Sequence, residues 1–407
     1  MPSARKTWSW VLRAAVCLAA VVYLYTQVSW YDTAILADDP GRAYRVLGRG
    51  DDDPLWLEDP RDGRPFSAPP SALARPAQAA RFGRHPIEPG LRSVVRRIDP
   101  GWAAWALAVL APTTFILAWR LRYLLRTQGM GLSAREALLL TFAGNFFNFA
   151  LPGTTGGDVY KAYHVSRRAP RRTEAVTVVI LDRVMGLVSF VLLAAGCLLI
   201  SWRKASIGRL GKVVGLLLAA LMVGAAIFFS RRFRRWIGYE SLLRRLPMAD
   251  RLRRIDQTAF SFRWHPRATF WALLMTCVNN FLLAGMILCV ARAMGMPPGA
   301  AGLELGHYAE FYLASVLALS AGYLLAAVPI SVQGFGLLES VFLRVFVGGQ
   351  WGTASQVVAL CLGARVAQLA WALPGIIVPW LGLGRPPPEA AEELAHAPAA
   401  RASRPAG

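Results

Sequence analysis

Amide, carboxylate and basic side chains recur inside apolar stretches of this chain, where their burial is costly and usually marks function. They gather around two breaks of matching design. One is Asn145-Phe-Phe-Asn-Phe-Ala-Leu-Pro-Gly-Thr-Thr-Gly-Gly-Asp158, the other Ala326-Ala-Val-Pro-Ile-Ser-Val-Gln-Gly-Phe-Gly-Leu-Leu-Glu339. Each runs from apolar residues through a proline (Pro152, Pro329) and glycines (Gly153 and Gly157, Gly334 and Gly336) to an acid. Asn145 and Asn148 share one helical face by their i,i+3 spacing, and Gln333 lies within the second break. Lys161 follows the first break, while Asp182-Arg183, His307, Glu310, Arg344 and Arg365 interrupt other apolar runs.

Such groups suit the holding of a polar or phosphate-bearing headgroup, since a guanidinium clamps phosphate oxygens in a planar fork. Bond-making chemistry has no comparable signal. The chain contains no G-x-x-x-x-G-K-[ST], G-x-S-x-G, H-E-x-x-H or C-x-x-C motif. Neither a cofactor nor a metal is expected, and Asp51-Asp52-Asp53 is read as a solvated turn. Two assignments stay open on the residues alone. Asp182-Arg183 is either an interface pair near the cytoplasmic edge or part of the site. Arg365 either neutralises Glu339 or Glu310, or meets a lipid phosphate.

The elements that must position these groups follow from hydropathy. Hydrophobic residues make up 55% of the chain and charged residues 17%, too apolar for an ordinary soluble domain. The net charge of +21 comes from arginines flanking apolar runs, which indicates an anionic membrane surface as partner and not nucleic acid. Apolar spans are expected at 11–26, 101–119, 174–201, 213–230, 268–291 and 354–381, near the roughly 20 residues needed to cross a bilayer. The first is read as a retained anchor, with a signal peptide as the rival. The five cysteines lie inside these runs without paired spacing and are read as packing residues.

Residues 120–135 carry four arginines and no acid, 161–172 carry Lys161 and four arginines, and 231–267 carry eleven arginines against three acids. Positive-inside logic puts all three segments, and both termini, in the cytoplasm. The unit 134–160 then starts and finishes on one side, so it is expected to be re-entrant. Counting onward makes 305–347 a second re-entrant unit entered from the opposite face, as an inverted repeat requires. The short loop 202–212, with Arg203, Lys204, Arg209 and Lys212, runs against this count. Loop 231–267 is either an amphipathic helix on the inner leaflet or a simple topology anchor. The predicted class is therefore an all-α polytopic membrane protein with about six full spans and two re-entrant units.

Four segments result: 1–30 with the first span, a polar extracytoplasmic excursion at 31–99, the transmembrane domain at 100–382, and a disordered cytoplasmic tail at 383–407. The excursion holds eleven acids and eleven arginines, and Tyr44-Arg-Val-Leu with Leu55-Trp-Leu-Glu is read as a short β-hairpin.

Three segments in order carry a family likeness. They are Trp119-Arg-Leu-Arg-Tyr-Leu-Leu-Arg-Thr-Gln-Gly, Asn148-Phe-Ala-Leu-Pro-Gly-Thr-Thr-Gly-Gly-Asp-Val-Tyr-Lys-Ala-Tyr and Leu181-Asp-Arg-Val-Met-Gly-Leu. Together with Pro329-Ile-Ser-Val-Gln-Gly-Phe-Gly-Leu-Leu-Glu and Arg365, they resemble the flippase-like family, the lysylphosphatidylglycerol synthase transmembrane region. The likeness covers about 5–30 and 100–382. It implies a relative of the lipid-translocating part of multiple peptide resistance factor in the bacterial inner membrane. It also implies functional roles for Asn148, Pro152, Gly153, Gly157, Asp158, Asp182, Arg183, Pro329, Gly334, Gly336, Glu339 and Arg365. The family often has glutamate where this chain has Asp158, and the excursion is longer than the likeness leads one to expect. No soluble aminoacyl-transferase domain is expected after 382, so lysyl transfer is not. The expected partners are membrane lipids, a second copy of the chain, or a biosynthetic enzyme for which this chain would act as an embedded accessory or transferase.

Overall fold

A computed structural model describes residues 29–39, 42–49, 54–73, 87–150, 156–168, 172–200, 216, 265–296, 305–326, 334–347 and 351–381. The expected spans at 11–26 and 213–230, the loops at 202–212 and 231–264, Pro152, Gly153, Pro329, Gln333 and the tail lie outside the described residues.

A small antiparallel sheet comes first. Its strands are β1 (Thr33–Ala34), β2 (Tyr44–Arg49), β3 (Leu55–Glu58), β4 (Pro65–Ala68) and β5 (Ile87–Glu88), in the order β4-β3-β2-β1-β5. The expected hairpin is β2 with β3, pairing Arg45 with Glu58 and Val46 with Leu57. Alternation puts Leu55 and Leu57 inward with Ala34, Tyr44 and Ala68, a core of their own. The segment is thus more than a hairpin: β1 and β5 extend the sheet with two residue pairs each, too short for periodicity to signal.

Helix α1 (Leu91–Arg96) leads into α2 (Pro100–Thr127). Asp99 caps α2 by accepting from the amides of Gly101 and Trp102. Then follow α3 (Ala134–Ala150), α4 (Gly156–Arg168), α5 (Arg172–Ile200), α6 (Pro266–Ala293) and α7 (Leu305–Ala326). Last come α8 (Leu337–Phe342), continued by a π-helical turn at Leu343–Val347, and α9 (Ala354–Ala372), continued by 3-10 turns to Leu381. Ser133 and Glu136 form a capping box at the start of α3, and Thr353 and Gln356 form another at α9.

Among the described residues five helices are long and apolar enough to cross a membrane: Pro100–Thr127, Thr173–Ile200, Pro266–Ala293, Gly306–Ala326 and Ala354–Leu381. Four were expected. The fourth of the five, α7, was read as one arm of a re-entrant unit, yet its uninterrupted apolar run is sufficient to cross unaided. Exposed tryptophans band the bundle, with Trp102 and Trp105 near the start of α2 and Trp119 and Trp271 towards the opposite end. Trp102 and Trp119 are about 25 Å apart by helical rise, close to a hydrocarbon core.

The helices on either side of each break pack against each other. In the first, the Asn148 side chain accepts from the amide of Gly157 at 2.8 Å. A Cβ on Gly144 would lie 2.4 Å from Cε of Lys161, and one on Gly157 only 1.9 Å from the Gly144 carbonyl. Small residues let α3 and α4 touch backbone to backbone. In the second, a Cβ on Gly334 would meet Ala326 at 2.4 Å, and one on Gly322 would meet Leu338 at 3.2 Å. Gly334 and Gly336 have φ of +68° and +86°, a region where side chains are strained. At 1.5 Å per residue α4 is only about 20 Å long, short of a crossing.

The sheet is seated at the end where α2 begins and α6 finishes. Gly90 lies against the Tyr31 backbone, where a Cβ would be at 2.3 Å. The Ser29 amide donates to Ser355 Oγ at 2.9 Å, and the Asp99 amide to the Ala293 carbonyl at 2.8 Å.

Candidate functional site

Helices α2, α3, α4, α5, α6, α7 and α9 surround a cavity of about 310 Å³. Its polar lining includes Asn145, Asn148, Asp158, Asp182 and Arg183, all singled out from the sequence. Apolar walls come from Leu110, Leu187, Phe190 and Leu283.

Two ion pairs line it, with a cross-connection the sequence did not announce. Asp182 and Arg183, neighbours in the chain, do not pair with each other. Asp182 takes Nε of Arg120 at 2.6 Å, and Arg183 reaches Asp158 across α4 and α5. Arg120 also donates to Thr276 Oγ1 at 2.6 Å, tying α2, α5 and α6 together. Both side chains of the Arg120–Asp182 pair are more than nine-tenths buried. Arg120 had counted only as a topology marker. Its partners lie 62 and 156 residues away, so no local spacing could have revealed them. Asn279, Tyr323 and Gln368 also line the cavity and carried no sequence signal.

Lys161 is the fifth charged side chain on the wall among the described residues. It is 7% exposed, lines the cavity, and makes no hydrogen bond or ion pair among the described residues. Its stem crosses Gly144, whose missing side chain leaves the passage open.

Arg365 does not line this cavity. Its Nε donates to Glu339 Oε1 at 2.8 Å, and its guanidinium lies 5.0 Å from the Phe335 ring centre. Glu339 is fully buried, and its other oxygen accepts from the Gly336 amide at 2.7 Å. The carboxylate thus fastens the second break to α9. Glu310 was the other candidate partner; it lies exposed on α7, and the contact to Arg365 is made by Glu339. His307 and Arg344 are likewise exposed. A small pocket of about 20 Å³ beside Arg365 shares Tyr323 and Gln368 with the main cavity, so those two side chains separate the charge clusters. Gly157, Gly334 and Gly336 serve as close-packing and turn positions, with none of them on the cavity wall.

From the sheet end, Arg365 lies about 16 Å along α9 and Arg120 about 30 Å along α2 by helical rise. The cluster around the cavity therefore belongs to the half of the bundle nearer the arginine-rich helix ends. The arrangement offers paired charges and amides within an apolar bundle, which is binding and guiding chemistry. No group of three or more potential metal ligands occurs among the described residues.

A family model described as the lysylphosphatidylglycerol synthase TM region matches residues 90–375. The match begins just beyond the sheet and takes in every residue of the cavity wall and of the Arg365–Glu339 cluster. Comparison with curated proteins finds no match.

Proposed function

This chain belongs to the lysylphosphatidylglycerol synthase transmembrane-region family, and from that premise we propose that it is a lipid translocator of a bacterial inner membrane. A headgroup passes through the cavity while the acyl chains remain in lipid. The observation that carries this reading is the cavity itself: two ion pairs, a lysine and several amides inside a bundle whose outer surface is apolar. Charged residues at such depth face a polar path in membrane proteins. The α3–α4 and α7–α8 pairs serve as the two units of an inverted repeat, with the breaks at their tips next to the path. Both termini lie in the cytoplasm and the sheet outside it.

The test is reconstitution into vesicles containing fluorescently labelled phosphatidylglycerol, with a membrane-impermeant quencher added outside. Protein-dependent exposure of the inner-leaflet label is expected. Loss of signal no different from protein-free vesicles overturns the reading. A second reading is favoured by the sheet, which precedes the family region and docks through Gly90 and Ser29. There it presents a partner enzyme or a lipid-linked substrate, and the chain acts as an embedded accessory subunit or transferase.

A further inference from the structure

We infer that Lys161 is the phosphate-binding group of the cavity, and that the cavity selects a headgroup carrying one net negative charge over zwitterionic or cationic headgroups. The inference rests on reading the cavity as a lipid site, and it names the substrate class of that site.

Among the described residues, five charged side chains line the cavity wall: Arg120, Asp158, Lys161, Asp182 and Arg183. Arg120 is committed to Asp182 and Arg183 to Asp158. One positive charge remains, on Lys161, which is buried and has no partner among the described residues. Its ammonium borders the cavity without a carboxylate of its own, so an anion entering that space gains a charge-assisted contact there. Lysine serves phosphate well as a point charge, without the fixed geometry an arginine imposes.

The carboxylates decide the rest. Both acids on the wall already hold a guanidinium, so neither is left for a cationic headgroup. A quaternary ammonium or an aminoacyl amine would add positive charge to a site that already has an excess of one. Leu110, Leu187, Phe190 and Leu283 line the same space and suit the glycerol and first methylenes of a lipid better than a hydrated inorganic ion. Gly144 completes the design: without a side chain, it lets the lysine stem cross α3 and bring the ammonium to the wall.

The experiment measures binding apart from translocation. The full-length protein in uncharged detergent is titrated with short-chain phosphatidylglycerol, phosphatidylcholine, lysyl-phosphatidylglycerol or inorganic phosphate, and its thermal midpoint is followed. Phosphatidylglycerol is expected to raise the midpoint at lower concentration than the other three. Lys161→Gln is expected to weaken that binding about tenfold or more, the size of one charge-assisted hydrogen bond. Gly144→Ala keeps the lysine but puts a methyl where its stem passes, so it should also weaken binding. It remains informative if Lys161→Gln fails to fold, because alanine favours the helix. Equal stabilisation by phosphatidylcholine overturns the selectivity, and equal stabilisation by inorganic phosphate overturns the lipid assignment. Unchanged phosphatidylglycerol binding in both variants overturns the role of Lys161. Lysine-dependent binding without any movement of lipid in vesicles would sink the translocator reading and leave this one standing. Movement that ignores Lys161 would do the reverse.

Discussion

Removing the Arg365 guanidinium should cost far more alone than together with the Glu339 charge. Arg365→Met leaves a carboxylate that is fully buried and retains only the Gly336 amide, at 2.7 Å. Breaking a buried pair from one side typically costs about 3–5 kcal/mol. Glu339→Gln leaves the guanidinium instead. That side chain is 16% exposed and still faces the Phe335 ring, so a smaller cost of about 2–3 kcal/mol is expected. In the double variant no charge is stranded, and the glutamine carbonyl can still accept from Gly336. The residual loss is that of a charge-assisted cap becoming neutral, about 1 kcal/mol. The predicted coupling is therefore about 4–7 kcal/mol, well above the 0.5 kcal/mol or so found for independent sites. Detergent-driven unfolding in mixed micelles, followed by tryptophan fluorescence on all four proteins, measures it. Because the pair fastens the second break and does not line the cavity, the double variant should also regain lipid transport. Additive single effects would refute the pairing as the source of stability. A stable double variant without transport would return Arg365 or Glu339 to the transport path.

Three other outcomes follow from the same geometry. Asp182→Asn should lower stability by about 3–5 kcal/mol, because it strands the buried Arg120 guanidinium, and Arg120→Met in the same protein should recover most of that loss in the unfolding assay. Gly157→Ala should push α3 and α4 apart at the Gly144 carbonyl and cost about 1–3 kcal/mol, whereas alanine at the unobstructed Gly196 should be neutral or stabilising by the same measurement. In a cysteine-free background, single cysteines at Arg126 and Arg167 should react with an impermeant thiol reagent from one face of the membrane and a cysteine at Arg64 from the other; opposite labelling at 126 and 167 would make the α3–α4 unit a plain span.

The four expected spans that fall among the described residues were legible because length and hydropathy act locally: an apolar run near 20 residues declares itself whatever it packs against. The two breaks were legible for a similar reason, since proline, glycine and an acid in fixed order are a local pattern. Pairing was not. Asp182 and Arg183 stand side by side in the chain, and only the packing of α2 and α4 on opposite flanks of α5 sends them to Arg120 and Asp158. Arg120 was counted only as a flanking charge, and Lys161 both as a flanking charge and as a group following the first break. Nothing in their spacing shows that α2 turns one inward or that Gly144 opens a passage for the other. The length of α7 was visible, but the charge rule that sets sidedness took precedence over it. The sheet exceeded the expected hairpin for a similar reason, since β1 and β5 are made by long-range pairing and not by alternation.

The most direct test of the central claim is to fill the cavity without disturbing the fold. Gly186 lies on the cavity wall, and a Cβ added there meets nothing within 4 Å. Gly186→Leu should improve helix propensity by about 0.8–1 kcal/mol while placing a branched side chain in the headgroup space. Labelled phosphatidylglycerol is followed in vesicles holding equal amounts of folded wild-type or variant protein. The account predicts protein-dependent movement by the wild type and its loss in an equally or more stable Gly186→Leu protein; movement by the variant at the wild-type rate would contradict it.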